Sequence, residues 1–223
     1  LCVIGEGEEV LPEIACHLAG VKGRPRHERV AELASIEGVY APALGRRQVT
    51  KRFVKDLDAA FFPVKWLSPL TEIVHDRISL EIMRGCGQGC RFCQALRCWK
   101  PVRYRSARRV MELAREAYRW SGYSEISLLS FSSGDHPEIG AIVEGLVAEF
   151  GPRRVAFSFP SLRIDTFSFS LANRIRAVRK TGLTFAPESS ERMRRALGKE
   201  ISDADLLRLA QEARAAGWRQ IKL

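Results

Sequence analysis

The sequence has no stretch approaching the roughly 18 to 20 uninterrupted apolar residues that a membrane-crossing helix requires, so it predicts a soluble protein without a membrane partner. It also lacks a charged n-region followed by an apolar h-region. The chain opens on Cys2-Val3-Ile4 and runs straight into Gly5-Glu6-Gly7-Glu8-Glu9. That opening does not read as a signal peptide, and a cytoplasmic location is the expectation. Acidic residues are in deficit, 26 against 36 Lys and Arg, for a formal net charge of +10. No long basic run accompanies the surplus; it shows as pairs such as Arg108/Arg109 and Arg194/Arg195. Dispersed charge reads first as a solvated surface, with an anionic partner such as RNA as the alternative.

The 223 residues, 46% of them hydrophobic, suffice for one large α/β domain or for one domain and a fragment of another. Six cysteines are present, and four of them crowd between residues 86 and 98. In a reducing compartment such crowding points to a metal rather than to disulfides. Cys2 and Cys16, far from the crowd, are expected as small core residues.

Residues 2–19 read as a strand, a Gly/Glu turn and a helix with Val10, Leu11, Ile14 and Leu18 on one face. Residues 20–74 look irregular and serve in this reading as a connector, with Lys22-Gly23-Arg24-Pro25-Arg26 a breaker-rich loop. From residue 78 strands and helices alternate. Strands are expected over 78–83, 125–131, 155–159, 183–186 and 219–223, and helices from Ser106 to a stop at Gly122, over 137–150, 171–180, 190–197 and 203–216. On the first of these helices Val110, Leu113, Ala114, Ala117 and Tyr118 recur at the spacing of a face packed on a sheet. This alternation predicts a parallel sheet with its functional loops at the carboxyl ends of the strands.

Arg84-Gly85-Cys86-Gly87-Gln88-Gly89-Cys90-Arg91-Phe92-Cys93 sets three thiols in a C-x3-C-x2-C array within one strand-to-helix loop. Three thiolates can each hold one iron of a cubane and leave the fourth iron open to a small molecule. Intervening glycines let the backbone curl around such a cluster.

This array resembles the cluster motif of the radical S-adenosylmethionine superfamily, and the resemblance runs over about residues 78–223. It implies a 4Fe-4S cluster on Cys86, Cys90 and Cys93, S-adenosylmethionine chelated at the open iron, and a 5′-deoxyadenosyl radical released by reduction of the sulfonium. It implies that Phe92 packs near the adenine, that Ser132-Ser133-Gly134-Asp135 stands where the family's Gly-Gly-Glu holds the methionine ammonium, that Ser161 and Arg163 meet the ribose or carboxylate, and that Glu188 reaches the ribose hydroxyls. A low-potential electron donor of flavodoxin or ferredoxin type follows from the same resemblance.

The stretches 127–135, 159–165 and 183–189, with Ile4-Gly5-Glu6-Gly7-Glu8, also resemble the subgroup fused behind a cobalamin-binding domain. The implied fold class is α/β: a partial (β/α)6 TIM-like radical SAM barrel over 75–223, truncated before its last strand, preceded over 1–74 by a linker and the remnant of a Rossmann-like cobalamin-binding domain. Cobalamin would then belong to a longer protein. None of His17, His27, His75 and His136 sits in a recognisable cobalt-binding motif. Competing readings are a structural zinc site with Cys98 as fourth thiolate, a ferredoxin, and an RNA-binding or RNA-modifying module.

Overall fold

The computed structural model describes residues 1–159, 163–164, 183–218 and 220–222. The helix expected over 171–180 and Ser161 lie outside the described residues. By contact the chain divides into two compact units, Leu1–Phe61 and Phe62–Leu223.

The first unit begins with β1 (Cys2–Val3), α1 (Gly7–Gly20), α2 (Arg26–Ala34) and β2 (Val39–Tyr40). The strands pair antiparallel, Cys2 opposite Tyr40 and Val3 opposite Val39. Val10, Leu33, Ile36 and Val39 form a small core that Val3 and Ile14 flank. The irregular connector expected over 20–74 is therefore partly wrong, because a helix and a strand occupy its first half. α2 was hidden because it buries only Leu33 and Ala34, too few for an apolar stripe, and Pro25 sits at its N-cap, where proline's fixed φ suits a helix start.

The apolar face of α1 is also narrower than expected. Val10 is buried, but Leu11 and Leu18 are exposed, as are Cys2 and Cys16. Neither cysteine is a core residue, since β1 is a two-residue edge and Cys16 lies off the Val10/Ile14 side of the helix. The Gly/Glu turn has a structural task. A side chain at Gly5, whose φ is +128°, would stand 1.8 Å from the Arg52 carbonyl oxygen. The buried Glu6 carboxylate accepts the Val54 N–H at 2.8 Å.

In the second unit β3 (Ile78–Glu81), β4 (Met83–Arg84), α3 (Ala95–Cys98), β5 (Arg103–Tyr104), α4 (Ala107–Ser121), β6 (Glu125–Leu129), α5 (Ile139–Phe150) and β7 (Ala156–Ser158) follow in order. β8 (Leu183–Thr184), α6 (Glu191–Ala196), α7 (Asp203–Ala215) and β9 (Ile221–Lys222) complete it. β3, β6 and β7 form a parallel sheet in that order, and β8 pairs parallel with β9. The molecule is thus a mixed α/β fold.

Helix boundaries follow from local chemistry. Ser106 caps α4 by accepting the Arg109 N–H at 3.1 Å, and Gly122 ends it in the left-handed region. Ser202 and Asp205 form a capping box at the start of α7. The expected face of α4 buries Val110, Leu113, Ala114 and Ala117 against Ile78, Leu80, Ile126 and Leu128 of the sheet and against Ile142, Leu146 and Phe150 of α5. Tyr118 meets Phe150 edge to face at 5.3 Å.

Truncating Phe150 to Ala removes a fully buried ring from this layer and is expected to cost about 3–5 kcal/mol. Leu207→Ala on the exposed side of α7 should stay within about 0.5 kcal/mol. Urea unfolding midpoints check both.

Candidate active site

The chain leaves β3 through Ile82 and enters a loop whose two sides are tied at the neck. β4 and β5 pair antiparallel, Met83 opposite Tyr104 and Arg84 opposite Arg103. The Arg105 N–H donates to the Ile82 carbonyl at 2.8 Å. Below the neck the Glu81 carboxylate accepts two hydrogen bonds from Arg84, at 2.9 and 2.7 Å, a bidentate geometry that fixes both side chains. Gly85 sits where the loop opens, at φ +90°. A Cβ there would stand 2.5 Å from the Trp99 carbonyl oxygen, so only glycine lets the two sides come together.

The loop then delivers Cys86, Cys90 and Cys93 to one cavity of about 290 Å³. Gln88, Phe92, Phe131, Arg163, Ile164, Phe185, Glu188 and Lys199 share its walls. Most contributions come from beyond the carboxyl end of a strand: the cysteine loop after β3, Phe131 after β6, Arg163 after β7, and Phe185 and Glu188 after β8. Lys199 comes from the turn after α6. Its Nζ donates to the Glu188 carboxylate at 3.0 Å and to the Ala186 carbonyl. That grip holds Glu188 at φ +75°, a conformation a non-glycine residue keeps only when its surroundings impose it.

Two donors point at the sulfurs. The Gln88 N–H reaches Cys86 Sγ at 3.4 Å and Arg163 Nη1 reaches Cys90 Sγ at 3.8 Å. Burial pushes the Cys86 thiol up, reinforced by Asp135, while the Gln88 amide and Arg163 pull against it. The Gln88 side chain donates to Asp135 at 2.8 Å, which joins the cysteine loop to the 3-10 turn Ser133–Asp135.

Of the residues singled out in the sequence, Cys86, Cys90, Cys93, Phe92, Arg163 and Glu188 line this cavity, and Asp135 connects to it through Gln88. Ser132, Ser133 and Gly134 do not line it. Ser132 and Ser133 are buried; Ser133 Oγ bonds Ser130 Oγ at 2.7 Å, and Ser132 Oγ has no partner among the described residues. Gln88 and Lys199 were not foreseen. Gln88 was signalled only by its place between Cys86 and Cys90, and nothing local marks Lys199.

The donor set suits an iron–sulfur cubane better than a single ion. A cubane takes its three thiolates on three separate irons, and three cysteines within one loop supply them. Cys98 is exposed and does not line the cavity.

Residues 80–223 match the family described as the Radical SAM superfamily. The chain belongs to that superfamily. An uncharacterized protein of Methanocaldococcus jannaschii is 31% identical to this radical SAM chain over 189 residues, which cover 84% of the chain and 41% of that protein. The radical S-adenosylmethionine methyltransferase TsrM of Kitasatospora setae, solved with tryptophan substrate and a SAM analogue, is similar in fold at a TM-score of 0.55. It shares 15% identity and covers 96% of this chain and 43% of its own. A second TsrM structure, with cobalamin and a [4Fe-4S] cluster, has a TM-score of 0.48 at 14% identity, over 63% of this chain and 29% of its own. The chain thus spans less than half the length of the proteins it matches. No helix among the described residues is long and apolar enough to cross a membrane.

In the metal-free protein Cys86 should alkylate more slowly than exposed Cys93 at pH 8, with its rate still climbing at higher pH because burial delays thiolate formation. Gly85→Ala, which forces the neck apart, should shrink that difference, whereas Gly87→Ala, with open space around its Cβ position, should preserve it. Iodoacetamide labelling read by peptide mass spectrometry checks the order.

Proposed function

We propose that this chain is the cluster-bearing part of a radical S-adenosylmethionine enzyme, with Cys86, Cys90 and Cys93 as the ligands of a 4Fe-4S cluster. The observation that carries the proposal is the opening of these three thiols into one cavity beyond the strand ends, with donors already aimed at two sulfurs. Cys86, Cys90 and Cys93 would hold the cluster, which would supply the one-electron reduction of S-adenosylmethionine that starts radical chemistry on a substrate.

The chain's own residues bind and orient. Cys86, Cys90 and Cys93 lose their protons on loading, which makes loading more favourable as pH rises. The Arg163 guanidinium and the Gln88 amide stabilise charge on the sulfurs. Phe92 offers a face for the adenine, Glu188 accepts from ribose hydroxyls while Lys199 fixes its direction, and Asp135 in the turn after β6 accepts from the methionine ammonium. Arg163 serves the methionine carboxylate or ribose, a role the resemblance gives to Ser161 as well. Phe131, Ile164 and Phe185 keep the cavity apolar and limit water.

In this proposal residues 75–223 are an incomplete (β/α)6 barrel, and residues 1–74 are the end of a Rossmann-like cobalamin-binding domain with its linker. The Ile4-Gly5-Glu6-Gly7-Glu8 turn and the fold likeness to TsrM over 96% of the chain support that division. Cobalamin would be held by a longer protein, a low-potential flavodoxin or ferredoxin would supply the electron, and the cytoplasm would keep the cluster reduced.

Anaerobic reconstitution of the full-length protein with iron and sulfide should give about four irons per chain, and dithionite with S-adenosylmethionine should then release 5′-deoxyadenosine. Cys86→Ala, Cys90→Ala and Cys93→Ala should each abolish that release, and Cys98→Ala should not. One tightly bound zinc in anaerobically purified protein, with refusal of iron, overturns the proposal.

A further inference from the structure

The charge of this chain is not dispersed as it first reads. Residues 82–111 carry eight Arg and Lys and no Asp or Glu; Arg84 and Arg105 face Glu81, and Arg108 and Arg109 face Glu112, at its two ends. Some of these cations are internal: Arg84, Arg103 and Arg105 are buried at the neck. Arg91, Arg97 and Lys100 are exposed on the loop itself.

In the sequence Phe92 and Trp99 fall between these cations. Phe92 is 52% exposed, Phe131 48% and Trp99 38%. Trp99 and Phe131 face each other at 6.0 Å with their planes tilted by 49°. Phe92 and Phe131 also line the cysteine cavity, so the aromatic surface continues from the outer flank of the loop to the mouth of the site. Exposed rings of this size bury less than they could, and exposed cations on the same loop as Phe92 and Trp99 make a poor core and a good platform. Single-stranded nucleic acids bind surfaces of this composition: cations follow the phosphates and aromatic faces stack on the bases. An acidic protein would use the cations and leave the rings without stacking partners.

We infer that the cysteine loop carries a docking surface for single-stranded RNA, with Arg91, Arg97 and Lys100 on the phosphates and Trp99 stacked on a base, leading the strand to the mouth of the cavity. The inference rests on the proposed function only in treating that cavity as the reaction site. The strand needs no covalent change to bind, so binding is measurable apart from chemistry.

The experiment uses the full-length, cluster-loaded protein and a fluorescein-labelled single-stranded 12-nucleotide RNA of mixed sequence, with anisotropy read across a series of salt concentrations. Affinity should fall linearly with salt on logarithmic axes. The double variant Arg97→Gln/Lys100→Gln should reduce the slope by about 1.4, at about 0.7 per phosphate contact on a single strand. Trp99→Ala should weaken binding by about 5- to 100-fold at an unchanged slope. Both variants should keep the iron content of the parent and release 5′-deoxyadenosine at the parent's rate in the absence of RNA.

Absence of RNA binding overturns the inference. So does binding that polyglutamate displaces as well as unlabelled RNA does and that Trp99→Ala leaves untouched, since that pattern marks an acidic-protein surface. If the parent protein binds RNA as expected but fails to cleave S-adenosylmethionine, the docking surface stands and the proposed function falls. The reverse result separates them the other way.

Discussion

A two-residue antiparallel ladder and one glycine hold the site together. Residues 85–102 contain all three candidate ligands, and a loop of that length has many conformations to lose on closing. Pairing of Met83 and Arg84 with Tyr104 and Arg103 brings its ends together, and the absence of a side chain at Gly85 lets the Trp99 carbonyl come within a distance that any Cβ would forbid. The Glu81 carboxylate then locks Arg84 from below. Without this neck the thiols would be three independent groups on a flexible segment. With it they share a wall.

Other elements supply what the neck cannot. The parallel sheet β3-β6-β7 and the helices packed on it fix where the loops after each strand begin, and those loops bring Phe131 and Arg163 to the cysteines. Glu188 and Lys199 arrive by a separate route, through the β8–β9 pair and the turn after α6. The cavity is therefore a place where independent loops meet, each held by its own strand. Its walls combine soft sulfur donors, a guanidinium, a carboxylate held by an ammonium, and apolar rings, a mixture suited to a charged cofactor with a flat organic part.

Much of this was legible in the sequence where periodicity or a strong local preference spoke. The buried stripe of α4 matches its spacing, and Ser106 and Gly122 mark its ends as their chemistry dictates. The C-x3-C-x2-C array named its own residues. What stayed hidden had weak local signals. α2 buries too little to show a stripe, β4 and β5 are too short for alternation, and Lys199 meets Glu188 only through the fold. The apolar face assigned to α1 was too wide because hydrophobic type is not burial, as exposed Leu11 and Leu18 show. The concentration of positive charge on residues 82–111 was visible in the letters, but composition averaged over the whole chain conceals a local block.

Gly198 lies against the cysteine loop. It sits at φ +72°, where a Cβ would stand 3.0 Å from the Gly89 carbonyl oxygen, and the neighbouring Leu197 carbonyl accepts the Arg91 N–H at 2.8 Å. The cysteine segment is thus fastened by a stretch of polypeptide made more than a hundred residues later. On the ribosome, the segment between Cys86 and Cys93 emerges long before its clasp does, so the nascent thiols wait unclasped until residues 197–198 have been synthesised.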